Sequence, residues 1–371
     1  MTKTLHYRAL PRRFRRQTLL LVGCGDVGTR IAVQSLARHP ADRLRLIGTV
    51  RRPESAQALR ARGILPLLAD LDQARSLARL AGFSARLVDL APPPPDGGTD
   101  PRTRRLIAAL TRPARPRATR WRVRPRCASD APGMRRVRAQ PVRMTAPAAT
   151  AIGALRLAPP RSGRRWAYLS TTGVYGDCAG ARFDESRPVA PRNARAVRRV
   201  DAERQLRAAT AGGSARVSVL RVPGIYGHDR LPLERLRKGL PALRPDEDVH
   251  TNHIHAEDLA RIARAALSRG RPGRVVHAVD DSTLRMGDYF DRVADAFGLP
   301  RPPRVTRADL VAQVTPAMLS FMSESRQLLN RRLKRELRVR LRFPDVDATL
   351  ADAVVPASGP RGSAFPGSGH R

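Results

Sequence analysis

The stretch Thr18-Leu19-Leu20-Leu21-Val22-Gly23-Cys24-Gly25-Asp26-Val27-Gly28-Thr29-Arg30 decides how this chain is read. Four consecutive apolar residues, Leu19 to Val22, have the character of a parallel strand covered on both faces. They run directly into Gly23-x-Gly25-x-x-Gly28, and a helix-like stretch follows. In that frame each glycine has its own task. Gly23 permits the tight turn from strand to helix, Gly25 lets the main chain approach a pyrophosphate, and Gly28 lets the helix pack closely. A diphosphate at this turn meets the free N–H groups and positive end of the helix. Gly23, Gly25, Asp26, Val27 and Gly28 are therefore expected to hold a dinucleotide cofactor.

Outward from this turn, strand and helix patterns alternate. Strands are expected over 18–22, 44–50, 64–68 and 85–90, with helices over about 26–38, 53–62, 72–81 and 101–111. Such alternation means βαβ units and a parallel sheet. From Pro113 to Arg165 the pattern breaks into an Arg-, Pro- and Ala-rich stretch with no sustained period, expected to be a low-complexity insertion. Order resumes with a strand at 166–170, a helix over about 193–210 and a strand at 216–221. The first seventeen residues read as a disordered basic arm, and residues 351–371 as a disordered tail.

The formal charge of +38 comes almost wholly from arginine. Residues 113–165 hold fourteen arginines against one acid, Asp130, and the first seventeen residues add six cations with no acid. Half of the excess thus lies outside any patterned face, and aromatics are only 4% of the chain, so a stacking platform for nucleic acid is not expected. The three cysteines are widely spaced, which fits a reducing compartment. No apolar stretch approaches the length of a membrane span, and a cytoplasmic location is expected. His250, His253 and His255 have acids nearby but no recognisable ligand spacing, so no metal is expected.

After the second strand comes Gly48-Thr49-Val50-Arg51-Arg52-Pro53. An acid at this strand end would bond the 2′-hydroxyl of NAD, whereas arginine accommodates the 2′-phosphate of NADP. Arg51 and Arg52 therefore favour NADP over NAD. The ends of the third and fourth strands place Asp70, Leu71, Leu90 and Ala91 in the same cofactor-contacting set.

Three further stretches follow in order: Ser170-Thr171-Thr172-Gly173-Val174-Tyr175-Gly176-Asp177, Arg221-Val222-Pro223-Gly224-Ile225-Tyr226-Gly227, and Asn252-His253-Ile254-His255-Ala256-Glu257-Asp258-Leu259-Ala260. With the glycine turn and Ser325-Arg326 … Asn330-Arg331-Arg332-Leu333, they resemble the extended short-chain dehydrogenase/reductases, the NAD-dependent epimerase/dehydratase family. The resemblance spans roughly 18–350 outside the insertion. It implies a Rossmann-type doubly wound parallel sheet over 18–228 and a smaller C-terminal α/β substrate domain over 229–350. It also implies Thr171 as the catalytic hydroxyl, Pro223 and Ile225 at the nicotinamide side, a small polar or nucleotide-sugar substrate, and a homodimer.

One departure limits the carry-over. On the helix after Val174-Tyr175-Gly176, the family's Tyr-x-x-x-Lys aligns with Arg195 and Arg199. Arg199 can replace the lysine's charge and ribose contact. Arg195 cannot give and take a proton, because guanidinium stays protonated. Tyr175 has the right chemistry and is the candidate to take over beside Thr171; its alternative is a packed aromatic with a satisfied hydroxyl. Three functions stay open, in this order: an atypical NAD(P)-dependent oxidoreductase, a non-catalytic NADP(H)-binding sensor, and nucleic-acid binding by the basic arm and residues 113–165. Asp258 is read as a helix cap, and Cys24 as a packing choice inside the glycine loop.

Overall fold

The apolar run forms strand β1 (Gln17–Val22) at the heart of a parallel sheet, and the glycine turn leads into α1 (Asp26–Leu36). The computed structural model describes residues 17–39, 43–80, 85–111, 164–314, 319 and 322–354. In chain order there follow β2 (Leu44–Val50), α2 (Glu54–Arg60), β3 (Leu65–Leu68), β4 (Arg86–Asp89), α3 (Pro101–Thr111), β5 (Arg164–Thr171) and β6 (Arg182–Phe183). Then come α4 (Ala194–Ala211), β7 (Ala215–Val222), β8 (Gly224–Tyr226), α5 (Leu233–Arg237), β9 (Ala242–Leu243), β10 (His253–His255) and α6 (Ala256–Arg269). The last named elements are β11 (Val275–His277), α7 (Met286–Ala296), β12 (Arg304–Val305), α8 (Arg307–Val311) and β13 (Gln327–Leu328).

Seven strands pair in the order β11-β7-β5-β4-β1-β2-β3, all parallel. The direction of winding reverses between β1 and β4, the crevice where open α/β sheets place their ligands. Side chains alternate across the sheet. Leu19 and Leu21 join Ile31 and Ala32 of α1 and Leu259, Ile262 and Ala263 of α6 on one face. Leu20 and Val22 join Leu106 and Leu110 of α3 and Leu206 of α4 on the other. β3 is an outer strand, with Pro66 opposite Gly48 and with Leu65 and Leu68 about half exposed.

Three small parallel pairs, β8–β10, β9–β12 and β6–β13, accompany the main sheet. A separate apolar core joins Tyr226, Leu236, Leu243, Val249, Phe290, Val293 and Leu310 around α7.

The helix expected over 72–81 is instead a short 3-10 turn, Ser76–Leu80. Local side-chain bonds win here. Asp70 Oδ1 accepts from the Asp72 N–H at 2.9 Å, and Ser76 Oγ donates to the Asp70 carbonyl at 2.7 Å. Such contacts offer the backbone an alternative to the helical ladder. The expected arm, insertion and tail fall outside the described residues except at their edges. Gln17 opens β1, a final helix covers Val346–Val354, and Arg164 and Arg165 belong to β5 and not to the insertion. Arg165 suits the strand because its guanidinium donates to the Leu267 and Ser268 carbonyls at the end of α6.

Candidate active site

Gly23 adopts φ +75°, and a Cβ there would stand 2.9 Å from Ala91 Cα on the loop after β4. Its N–H donates to Thr49 Oγ1 at 2.9 Å, tying the turn to β2. At Gly25 the direction a Cβ would take is open, with nothing within 4 Å. Gly25 also caps α1 without any side-chain bond to the helix's first N–H groups. A turn that closes on the protein at Gly23 and opens outward at Gly25 fits a diphosphate seated on the helix end. Gly28 faces Cys24 Sγ at 3.1 Å, and the same thiol packs 3.1 Å from the Cβ position of Gly48. Cys24 is thus the spacer between α1 and β2, and burial pushes its thiol up to about 11.

Asp26 pairs with Arg30 at 3.1 Å and with Arg230 at 2.9 Å, so the acid beside the turn is held by two guanidinium groups. Arg30 also bonds Asp229 and Glu257, linking α1 to the loop after β8 and to α6. Arg51 and Arg52 are exposed just beyond β2. Asp70 is partly buried and engaged in its own turn, with Leu71 next to it. Leu90 N–H bonds the Val22 carbonyl, which brings the ends of β1 and β4 together. Pro223 and Ile225 are partly buried on either side of exposed Gly224.

Thr171 ends β5, half-buried, and its Oγ1 accepts from the Gly173 N–H at 3.2 Å. The following helical turn is thereby capped by the candidate hydroxyl itself. Tyr175 lies elsewhere. Its ring is 1% exposed, and its hydroxyl is 2.6 Å from His277 Nε2 and accepts from Arg221 Nη1 at 2.6 Å. His277 Nδ1 faces the Leu329 carbonyl at 3.0 Å, so Nδ1 carries the hydrogen and Nε2 accepts from the tyrosine. Arg221 forks onto buried Glu203, which also accepts from Ser170 Oγ at 2.6 Å. Tyr175 is therefore part of a closed polar network inside the core, and burial pushes its hydroxyl up to about 12.

α4 begins at Asn193, whose side chain accepts from the Ala196 N–H. Arg195 is exposed, whereas Arg198 and Arg199 are buried. Arg199 Nη1 donates to Tyr168 Oη at 2.9 Å, the Leu169 carbonyl at 3.0 Å and the Ala91 carbonyl at 3.2 Å. This nitrogen staples the end of β4 to β5, so the ribose role expected of Arg199 is not its main engagement. Arg198 bonds the Gly97 carbonyl. Beneath them Asp89 is fully enclosed, and burial pushes its carboxyl up to about 7.

His253 and His255 belong to the packed interior. His253 and His255 are both buried and held down to about 4 by burial. His255 stacks on Phe343 at 3.8 Å and caps α6 through the Glu257 N–H. The cap expected of Asp258 therefore belongs to His255. Asp258 instead accepts from the Arg342 and Phe343 N–H groups, because it sits inside the first helical turn facing that loop. Among the described residues no group of three His, Cys, Asp or Glu side chains is placed to hold a metal ion.

One carboxylate near Thr171 was not legible in the sequence. Glu324 Oε2 is 4.0 Å from the Cβ position of Gly173, and Thr171 Oγ1 is 3.6 Å from that same point. The only pointer to it was its place just before Ser325-Arg326.

The strand order, the turn at the end of β1 and the flanking helices define a Rossmann-type doubly wound α/β protein. Residues 140–278 match the model of the NAD dependent epimerase/dehydratase family. A solved structure from Silicibacter pomeroyi, described as a functionally unknown conserved protein, is 29% identical, with a TM-score of 0.66 over 91% of this chain and 98% of that one. UDP-glucuronic acid 4-epimerase from Bacillus cereus, in complex with NAD, is 15% identical, with a TM-score of 0.59 over 91% and 96%. dTDP-glucose 4,6-dehydratase from Bacillus anthracis, also in complex with NAD, is 13% identical, with a TM-score of 0.63 over 91% and 95%. No protein of curated function matches the chain. No helix among the described residues is long and apolar enough to cross a membrane.

Proposed function

We propose that this chain is an NAD(P)-dependent, epimerase/dehydratase-like oxidoreductase of the atypical short-chain dehydrogenase/reductase type. It acts on a small polar substrate, with nucleotide sugars the leading class. The observation that carries this reading is the pairing of an outward-open Gly25 turn with the Thr171 hydroxyl, both at the C-terminal ends of sheet strands. Gly23, Gly25, Asp26, Val27 and Gly28 would cradle the diphosphate. Asp70, Leu71, Leu90 and Ala91 would line the cofactor's path, and Pro223 and Ile225 its nicotinamide side. Arg51 and Arg52 would take the 2′-phosphate of NADP. When bound, the cofactor supplies a hydride acceptor and donor. Thr171 hydrogen-bonds the reacting oxygen and orients it. The expected boundary at 228 is too early, because α6 and β11 complete the main sheet and its core, and the rest of residues 229–350 would mainly form the substrate side.

Calorimetric titration with NADPH and NADH, followed by turnover assays on a broad carbonyl and sugar-nucleotide panel, tests the reading. Dinucleotide binding with turnover is the expected result. Tight binding without turnover would leave the second reading, a redox sensor, which is favoured by Arg195 at the tyrosine position.

A further inference from the structure

The candidate site has lost the family's tyrosine to Arg195, and Tyr175 is sealed in the core. Tyr226 is 2% exposed, and its hydroxyl donates to the Asp345 carbonyl at 2.9 Å. Neither tyrosine is free to exchange a proton with a substrate. We propose that Glu324 is the acid/base residue of this site. This rests on the reaction class proposed above.

Three observations converge on Glu324. The first is position. Its Oε2 and the Thr171 Oγ1 lie 4.0 and 3.6 Å from the point above Gly173 where a side chain would begin. Glycine at 173 puts no side chain between the two oxygens, so a substrate hydroxyl lying in van der Waals contact with Gly173 can face both. The second is rigidity. Ser325 N–H donates to Asp177 Oδ1 at 2.8 Å, and the Ser325 carbonyl accepts from the Cys178 and Gly180 N–H groups at 3.0 and 3.1 Å. Ser325 Oγ accepts from the His250 N–H at 3.0 Å, and Arg326 bonds the Gly176 carbonyl. The segment that carries Glu324 is thus stitched to the loop that follows Thr171, which fixes the carboxylate without help from a ligand.

The third observation is the carboxylate's own shell. Its side chain is 10% exposed, with Arg326 Nη1 on Oε2 at 2.7 Å and the Asn193 amide on Oε1 at 3.5 Å. Asn193 opens α4, the helix that would have carried the missing tyrosine. The carboxylate therefore stands on the same helix end by a different route.

The chemistry balances with a nicotinamide dinucleotide as the redox partner. Glu324 accepts the proton of a substrate hydroxyl as the O–H bond breaks. The adjacent C–H pair leaves as hydride to the oxidised nicotinamide ring, giving a ketone, a reduced cofactor and a neutral Glu324. In reverse, the neutral acid returns the proton to the oxygen. Thr171 hydrogen-bonds that oxygen in both directions.

The test compares the wild type with Glu324→Gln and Glu324→Ala on whichever panel member the wild type turns over. Both variants should lose kcat by about 10²–10⁴-fold, the usual range for a lost general acid/base. Calorimetry should show NADPH binding within about twofold of wild type, which separates a chemical defect from a folding or cofactor defect. Added formate should restore Glu324→Ala in a dose-dependent way, which a merely structural glutamate would not allow. Near wild-type turnover in Glu324→Gln, or no rescue in an Ala variant that folds and binds NADPH, overturns Glu324 while leaving the reaction class standing. A wild type that binds dinucleotide and turns over nothing overturns the reaction class itself, and Glu324's role with it.

Discussion

The Tyr175 hydroxyl sits 2.6 Å from His277 Nε2, and the same imidazole uses its other nitrogen on the Leu329 carbonyl, so one ring joins β11 to the turn after β5 and to the segment after β13. Arg221 closes the arrangement from β7. Removing the hydroxyl leaves a buried acceptor and a buried donor without a partner. Tyr175→Phe is expected to lose about 1–3 kcal/mol of stability. Urea denaturation measures this, and cofactor affinity should not change.

Arg221 and Glu203 are nearly inaccessible and bonded through two nitrogens and two oxygens. Arg221→Met strands a buried carboxylate and should cost about 3–5 kcal/mol. Adding Glu203→Leu removes the stranded charge and should recover most of the loss. Additive penalties in the double variant would contradict this account.

The two glycines of the turn should fail differently. Gly23→Ala forces a side chain onto Ala91 at a positive φ, so the fold itself loses stability. Gly25→Ala meets nothing within 4 Å. It should keep its thermal stability to within about 0.5 kcal/mol and still lose dinucleotide binding, because the methyl occupies the diphosphate's approach. Thermal melts and calorimetry on the pair distinguish a structural turn from a ligand turn.

Replacing Arg51 and Arg52 together by alanine should weaken NADPH by about tenfold or more, and leave NADH nearly unchanged. Equal losses for both nucleotides would mean that these residues do not read the 2′-phosphate.

Buried histidines and aspartates pull stability in opposite directions as pH changes. Burial holds His253 and His255 down to about 4 and His277 to about 3, from an ordinary 6.5. The unfolded chain takes up these protons first. Their contribution is therefore present above pH 6.5 and is lost as pH falls through 4 and then 3. Burial raises Asp89 and Asp280 from 3.8 to about 7, so their contribution is present below 3.8 and is lost as pH rises through 7. Between pH 6.5 and 4 the three histidines outweigh the two aspartates. Stability should fall with acidification, and fall more steeply in Asp89→Asn. Parallel urea-midpoint curves for the two proteins would refute the assignment.

Six strands of the main sheet were legible because they are mostly apolar runs, and the glycine turn because its spacing carries the geometry. The seventh, β11, is only three residues long and gave no such run. Arg51, Arg52 and Thr171 could be placed at strand ends by counting from those runs. Side-chain direction was the missing information. Nothing in Val174-Tyr175-Gly176 reveals that Tyr175 turns inward to a histidine 102 positions later. Arg199 could be assigned to a helix face, but its three bonds to Tyr168, Leu169 and Ala91 depend on how α4 packs over β4 and β5. Glu324 becomes visible only when a segment 148 residues distant is laid beside Asp177.

The outer strand β3 has a consequence for how the molecule behaves at high concentration. A parallel sheet whose last strand is a short four-residue segment interrupted by Pro66 offers a broken row of donors to any further strand. Leu65 and Leu68 would otherwise make this rim adhesive. The proline thus acts as a terminator, protecting a strongly parallel, aggregation-capable architecture from edge-to-edge growth.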